Sequence, residues 1–135
     1  MEIKFNEVSY TYNSNSPIKK EALKKISLSF EEGKVTSVIG KAGSGKSTMA
    51  ELMNALLFPT EGTIEIGNFL ITSKGIKKNK RINDLRVNIG LVFQLPEEQF
   101  FNITVKDEIS FGMKYFNYKT KEGLEHRISQ HVYLP

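Results

Sequence analysis

The chain has 135 residues, 19 Lys and Arg against 15 Asp and Glu, and a net charge of +4. That length holds one domain of ordinary size, and a hydrophobic content of 39% excludes a disordered tail, which could not bury enough apolar surface to offset its ordering entropy. The absence of Cys excludes a disulfide framework and a thiolate metal site, and with only His126 and His131 a zinc site is not expected.

Residues 2–12 open with Ile3 and Phe5 alternating with polar residues. Val8, Tyr10 and Tyr12 resume the alternation after a one-residue slip, which predicts one bulged strand or two short ones. Residues 13–17 form a turn-rich loop, and Ile26, Leu28 and Phe30 alternate as a second strand. After the turn at Glu31–Lys34, the β-branched run Val35–Ile39 predicts a short buried strand. Met49, Leu52, Met53, Leu56 and Leu57 then share one face of a helix, which Pro59 stops. Thr63–Ile66 and Phe69–Ile71 predict a hairpin across Gly67-Asn68. A basic loop covers 74–81, Val87–Phe93 is strand-like, and 105–116 and 121–132 are helical in period.

The lysine clusters at 19–25 and 74–81 read as solvated loops. No aromatic residues interleave with the second, so nucleic acid is not expected as a partner. No apolar run reaches the length of a membrane span, and Met1–Lys4 begins no secretory signal pattern. A cytoplasmic α/β domain is the expectation.

Gly40-Lys41-Ala42-Gly43-Ser44-Gly45-Lys46-Ser47-Thr48 fits the phosphate-loop pattern G-x-x-x-x-G-K-[ST] without mismatch. Its glycines let the backbone close around phosphate oxygens, successive N–H groups form an anion nest, and the start of the following helix adds partial positive charge. Lys46 is the candidate for the β- and γ-phosphates of a nucleotide. Ser47 is the candidate ligand for magnesium, and Thr48 matches the α-phosphate position of other such loops.

The motif alone indicates binding. Its surroundings resemble an ABC transporter ATPase. Val8-Ser9-Tyr10-Thr11-Tyr12 looks like that family's aromatic loop, with Tyr12 as the better match for the adenine-stacking ring and Tyr10 as the alternative. Gly90-Leu91-Val92-Phe93-Gln94 looks like its Q-loop, in which the glutamine, here Gln94, touches magnesium and the attacking water and the loop meets the membrane partner. An amide suits that task, because it donates and accepts at once and does not titrate. Leu95-Pro96-Glu97-Glu98-Gln99-Phe100-Phe101 narrows the resemblance to energy-coupling factor transporters of the cobalt and vitamin uptake type, with Phe100 where that group carries Leu.

The resemblance implies an α/β phosphate-loop fold, the N-terminal part of an ABC ATPase across residues 1–135. It implies an antiparallel β subdomain and an incomplete core sheet. The family's Leu-Ser-Gly-Gly-Gln signature, Walker B strand and switch histidine do not occur in these residues, and His126 and His131 do not stand where the switch histidine would. The implied function is ATP-driven substrate uptake at the cytoplasmic face of a membrane, as a peripheral subunit. Its partners would be an integral membrane subunit and a second ATPase subunit, identical or different. Lys46 and Gln94 would serve the hydrolysis of ATP, which these residues alone are expected to perform negligibly, since phosphoryl transfer depends on complete positioning. The competing reading is a non-catalytic nucleotide-binding or docking module.

Overall fold

A computed structural model describes residues 1–77 and 82–115. The described residues separate into two compact units, one within 1–91 and one beginning at 92.

The first unit is built on a five-stranded antiparallel sheet of order β2-β1-β3-β4-β5. The strands are β1 (Ile3–Tyr12), β2 (Lys20–Phe30), β3 (Glu61–Ile66), β4 (Phe69–Thr72) and β5 (Gly75–Lys77). Helix α1 (Lys46–Met53) follows β2 along the chain, and the short α2 (Ile82–Arg86) follows β5. Alternation decides which face is buried: Ile64 and Ile66 point into the core, where Phe5, Val8, Leu23 and Ile71 join them. Cross-strand pairing puts Phe5 beside Ile64 and Ile64 beside Ile71. Met49, Leu52 and Ala55 close the core from the helical side, with Leu85 of α2. Full burial of one such aliphatic side chain stabilises by about 1.5–3 kcal/mol.

The slip in β1 is a bulge. Register breaks between Phe5 and Val8, where Glu7 takes a φ of 49°, and the neighbouring strand answers with Lys25 at 44°. Both irregular residues lose ladder partners, and serines replace them. The Glu7 N–H donates to Ser27 Oγ at 3.0 Å, and the Lys25 N–H donates to Ser9 Oγ at 3.0 Å. Gly62 is required opposite, since a Cβ there would run into the carbonyl oxygens of Asn6 and Glu7.

The hairpin of β3 and β4 turns at Gly67-Asn68 as expected. Three expectations are corrected. Helix α1 ends at Met53, four residues short of Leu57. There the Leu56 N–H donates to the Glu51 carbonyl at 2.9 Å and the Ala55 N–H to that of Leu52 at 3.1 Å, with Ala55 at a φ of 52°. This is a Schellman stop with alanine where glycine is usual. The carbonyls beyond it go to Arg86, whose Nε reaches Asn54 at 3.4 Å and whose Nη2 reaches Ala55 at 3.1 Å. Residues 35–39 are not a strand, and Val35 and Ile39 are 100% and 92% exposed. Residues 87–93 are not a strand either. A strand exists through its ladder, and no described strand lies beside these two segments. The predicted helix at 121–132 and part of the basic loop, 78–81, lie outside the described residues.

The second unit contains a 3-10 turn (Pro96–Gln99) and helix α3 (Val105–Tyr115). Thr104 caps α3: its Oγ1 accepts the Asp107 N–H at 3.1 Å and donates to Asp107 Oδ2 at 2.6 Å.

Candidate functional site

The glycine loop runs from Gly40 to the start of α1. Gly43 and Gly45 take positive φ values of 77° and 92°. They turn the chain so that Gly45 becomes the residue preceding the helix. Gly45 is buried against β2, where an added Cβ would stand 2.6 Å from the Ala22 carbonyl oxygen and 2.7 Å from Leu23 Cδ2. The loop therefore seats on the sheet through a glycine that no other residue replaces. No side chain caps the helix, and no acidic residue stands in its first turn. Those N–H groups keep their positive end for an anion.

The amine of Lys46 folds back over the loop. It donates to the carbonyls of Gly40 and Lys41, each at 2.9 Å, and lies 3.5 Å from Ser44 Oγ. The loop is braced within itself by the Ser44 N–H on the Lys41 carbonyl at 3.2 Å. Ser47 is exposed beside it and Thr48 is buried.

Tyr12, at the end of β1, comes to the same place. Its hydroxyl lies 2.9 Å from Thr48 Oγ1, and its ring meets Tyr10 edge-on at 4.8 Å. Burial chiefly, then Tyr12 and Glu51, raises the Tyr10 phenol above its ordinary value. Tyr12, Gly43, Gly45, Lys46, Ser47 and Thr48 line one hollow of 210 Å³. Lys20 and Ala22 of β2 also line it. Sequence reading missed both. Their signal is the register, which pairs Tyr12 with Lys20 across β1 and β2. A wider hollow of 810 Å³ has Tyr10, Asn13 and Ser73 in its wall but no charged residue, whereas the smaller one is lined by Lys20 and Lys46.

Gln94 stands in the second unit, exposed, just before the turn that Pro96 begins. There Glu108 of α3 gathers three donors: the Phe101 N–H at 3.1 Å, the Asn102 N–H at 2.9 Å and Asn102 Nδ2 at 2.9 Å. These bonds, the Asn102 side chain foremost, hold its carboxyl below the ordinary value. A 240 Å³ hollow beside it is lined mainly by Phe100, Ile103, Val105 and Ile109. Among the described residues no group of three or more His, Asp or Glu is placed to hold a metal. No described helix is long and apolar enough to cross a membrane.

Residues 23–133 match the family model described as ABC transporter. The chain is 46% identical over 121 residues to an energy-coupling factor transporter ATP-binding protein EcfA2 of Staphylococcus epidermidis, and 45% identical over 125 residues to its namesake in Latilactobacillus sakei. Those alignments cover 90% and 93% of this chain and 42% of each relative, so the chain spans less than half their length. Among solved structures it resembles the dimeric ATP-binding cassette MJ0796 in a post-hydrolysis state bound to ADP and Pi. That match has a TM-score of 0.77 and 28% identity, over 95% of this chain and 54% of that one. It also resembles cbiO1 of Clostridium perfringens, part of the ABC transporter complex cbiONQ. There the TM-score is 0.68 and the identity 34%, over 96% of this chain and 47% of that one.

Proposed function

The chain belongs to the ABC transporter family, and from that premise we propose that it supplies the nucleotide-binding part of an energy-coupling factor type ATPase subunit, which uses ATP to drive uptake across a membrane. One observation carries the reading: Lys46, Ser47, Thr48, the loop glycines and Tyr12 converge on one hollow at an uncapped helix start. In this role the backbone of Gly40, Lys41, Ala42, Gly43, Ser44 and Gly45 cradles the phosphates, and Lys46 leaves its two carbonyls to neutralise them. Thr48 holds the α-phosphate, and the Tyr12 ring stacks on adenine.

The residues also fit magnesium. A loop without clustered carboxylates suits a cation held mostly by phosphate oxygens, with the exposed Ser47 hydroxyl as the protein's own ligand. When bound, that ion adds positive charge over the phosphates. By the family resemblance, Gln94 of the second unit is the Q-loop glutamine, whose amide would serve magnesium and water. The proposed partners are an integral membrane subunit and a second ATPase subunit at the cytoplasmic face.

Titration calorimetry with ATP and magnesium tests the reading. The chain binds, and Lys46→Ala weakens binding about tenfold to a hundredfold, as expected for one charge-assisted contact. Unchanged affinity in that variant refutes the assignment. Phosphate release by these residues alone is expected to be negligible. Turnover that survives purification and disappears with Lys46→Ala overturns that part.

A further inference from the structure

The hydroxyls of Tyr12 and Thr48 lie 2.9 Å apart. Thr48 is buried in the first turn of α1, at 5% exposure. Tyr12 arrives from the far end of β1, held by the edge of Tyr10. A strand that carries an aromatic ring is thus tied by a hydroxyl pair to the helix that begins at the phosphate loop.

The chemistry of the pair gives it a direction once a phosphate is present. A threonine hydroxyl has one proton to donate and two lone pairs to accept with. A phosphate oxygen only accepts. Thr48 therefore gives its proton to the phosphate and must receive one from Tyr12. Resting on the nucleotide-binding reading above, we propose that Tyr12 and Thr48 form a two-hydroxyl relay, Tyr12 O–H to Thr48 Oγ1 and Thr48 O–H to phosphate. In this relay the Tyr12 hydroxyl, beyond its ring, contributes to nucleotide affinity. Thr48 is polarised by the bond it accepts and becomes a better donor. The ring is held by the same group that meets the ligand, so Tyr12 is a positioning residue as well as a platform.

Calorimetric binding of ATP to the full chain, with Tyr12→Phe, Thr48→Val, the double variant and Thr48→Ser, tests the relay. Phenylalanine keeps the ring and removes only the hydroxyl. The expected result is a loss of about threefold to tenfold for Tyr12→Phe. The double variant binds no more weakly than Thr48→Val alone, and Thr48→Ser, which keeps the hydroxyl, binds more tightly than Thr48→Val. Wild-type affinity in Tyr12→Phe overturns the relay, as does a Tyr12→Phe that lowers only the urea midpoint. Losses that multiply in the double variant overturn it as well. The Tyr12→Phe comparison stands by itself if Thr48→Val does not fold. Failure of the wild-type chain to bind ATP overturns the nucleotide reading and the relay with it. Binding that Lys46→Ala abolishes but Tyr12→Phe leaves intact overturns the relay alone.

Discussion

Replacing Gly45 by alanine separates two costs that its neighbour Gly43 separates differently. Both residues hold left-handed backbone, at 92° and 77°. An L-residue there loses about 1–2 kcal/mol, and alanine recovers about 0.4–1 kcal/mol by restricting the unfolded chain. Gly43→Ala meets no atom within 4 Å, so its net cost is about 1 kcal/mol. Gly45→Ala adds a methyl 2.6 Å from the Ala22 carbonyl oxygen and 2.7 Å from Leu23 Cδ2. Leu23 can shift, but a backbone oxygen in β2 yields only by moving the strand. Overpacking of this kind costs about 1–3 kcal/mol, which brings Gly45→Ala to about 2–4 kcal/mol. With a urea dependence of about 2 kcal/mol per molar, the denaturation midpoint falls by about 1–2 M, against about 0.5 M for Gly43→Ala. ATP affinity falls along with it in Gly45→Ala, because the loop and α1 lose their seat on β2. Equal midpoints for the two variants would refute the claim that contact with β2 is what requires glycine at 45.

Arg86→Met strips the α1 stop of the guanidinium that takes two carbonyls, and lowers stability by about 1–2 kcal/mol in urea titration, though residue 86 lies far from 54 in sequence. Glu108 has a pKa held below its ordinary 4.5, so its contribution is present in full above that value and is lost as pH falls through the lower, folded pKa. An NMR titration of the Asn102 amide therefore shows a midpoint below 4.5 that disappears in Glu108→Gln. Lys20→Met removes an exposed cation from the phosphate hollow, weakens ATP binding about threefold at low salt and less at high salt, and leaves the urea midpoint unchanged.

What was legible in the chain was local. Gly45-Lys46 marks the start of α1 because a glycine turn and a following apolar face are both short-range signals. The slip between Phe5 and Val8 announced the bulge, since a period of two cannot absorb an extra residue. The end of α1 was not legible. Leu56 and Leu57 continue the helical period, yet Ala55 turns left-handed and Arg86 takes the carbonyls, a contact that no window around residue 55 contains. Val35–Ile39 has the composition of a strand, but composition cannot supply a neighbour, and strand formation is a property of pairs. Lys20, read with its cluster as part of a solvated loop, lies on β2 instead, and its place beside Tyr12 is set by register between two strands.

The sheet and the segment at 35–39 present different faces to other copies of the molecule. One edge of the sheet is β2, whose exposed Lys20, Lys24 and Lys25 repel an approaching strand, and the other edge, β5, is only three residues long. The stretch from Val35 to Gly40 carries no charge of its own, and its only guards are Lys34 and Lys41 at its two ends. Repulsion between copies at this stretch therefore falls to those two ammonium groups. Added salt, by shortening the reach of that repulsion to about 3 Å at 1 M, is expected to favour association through it.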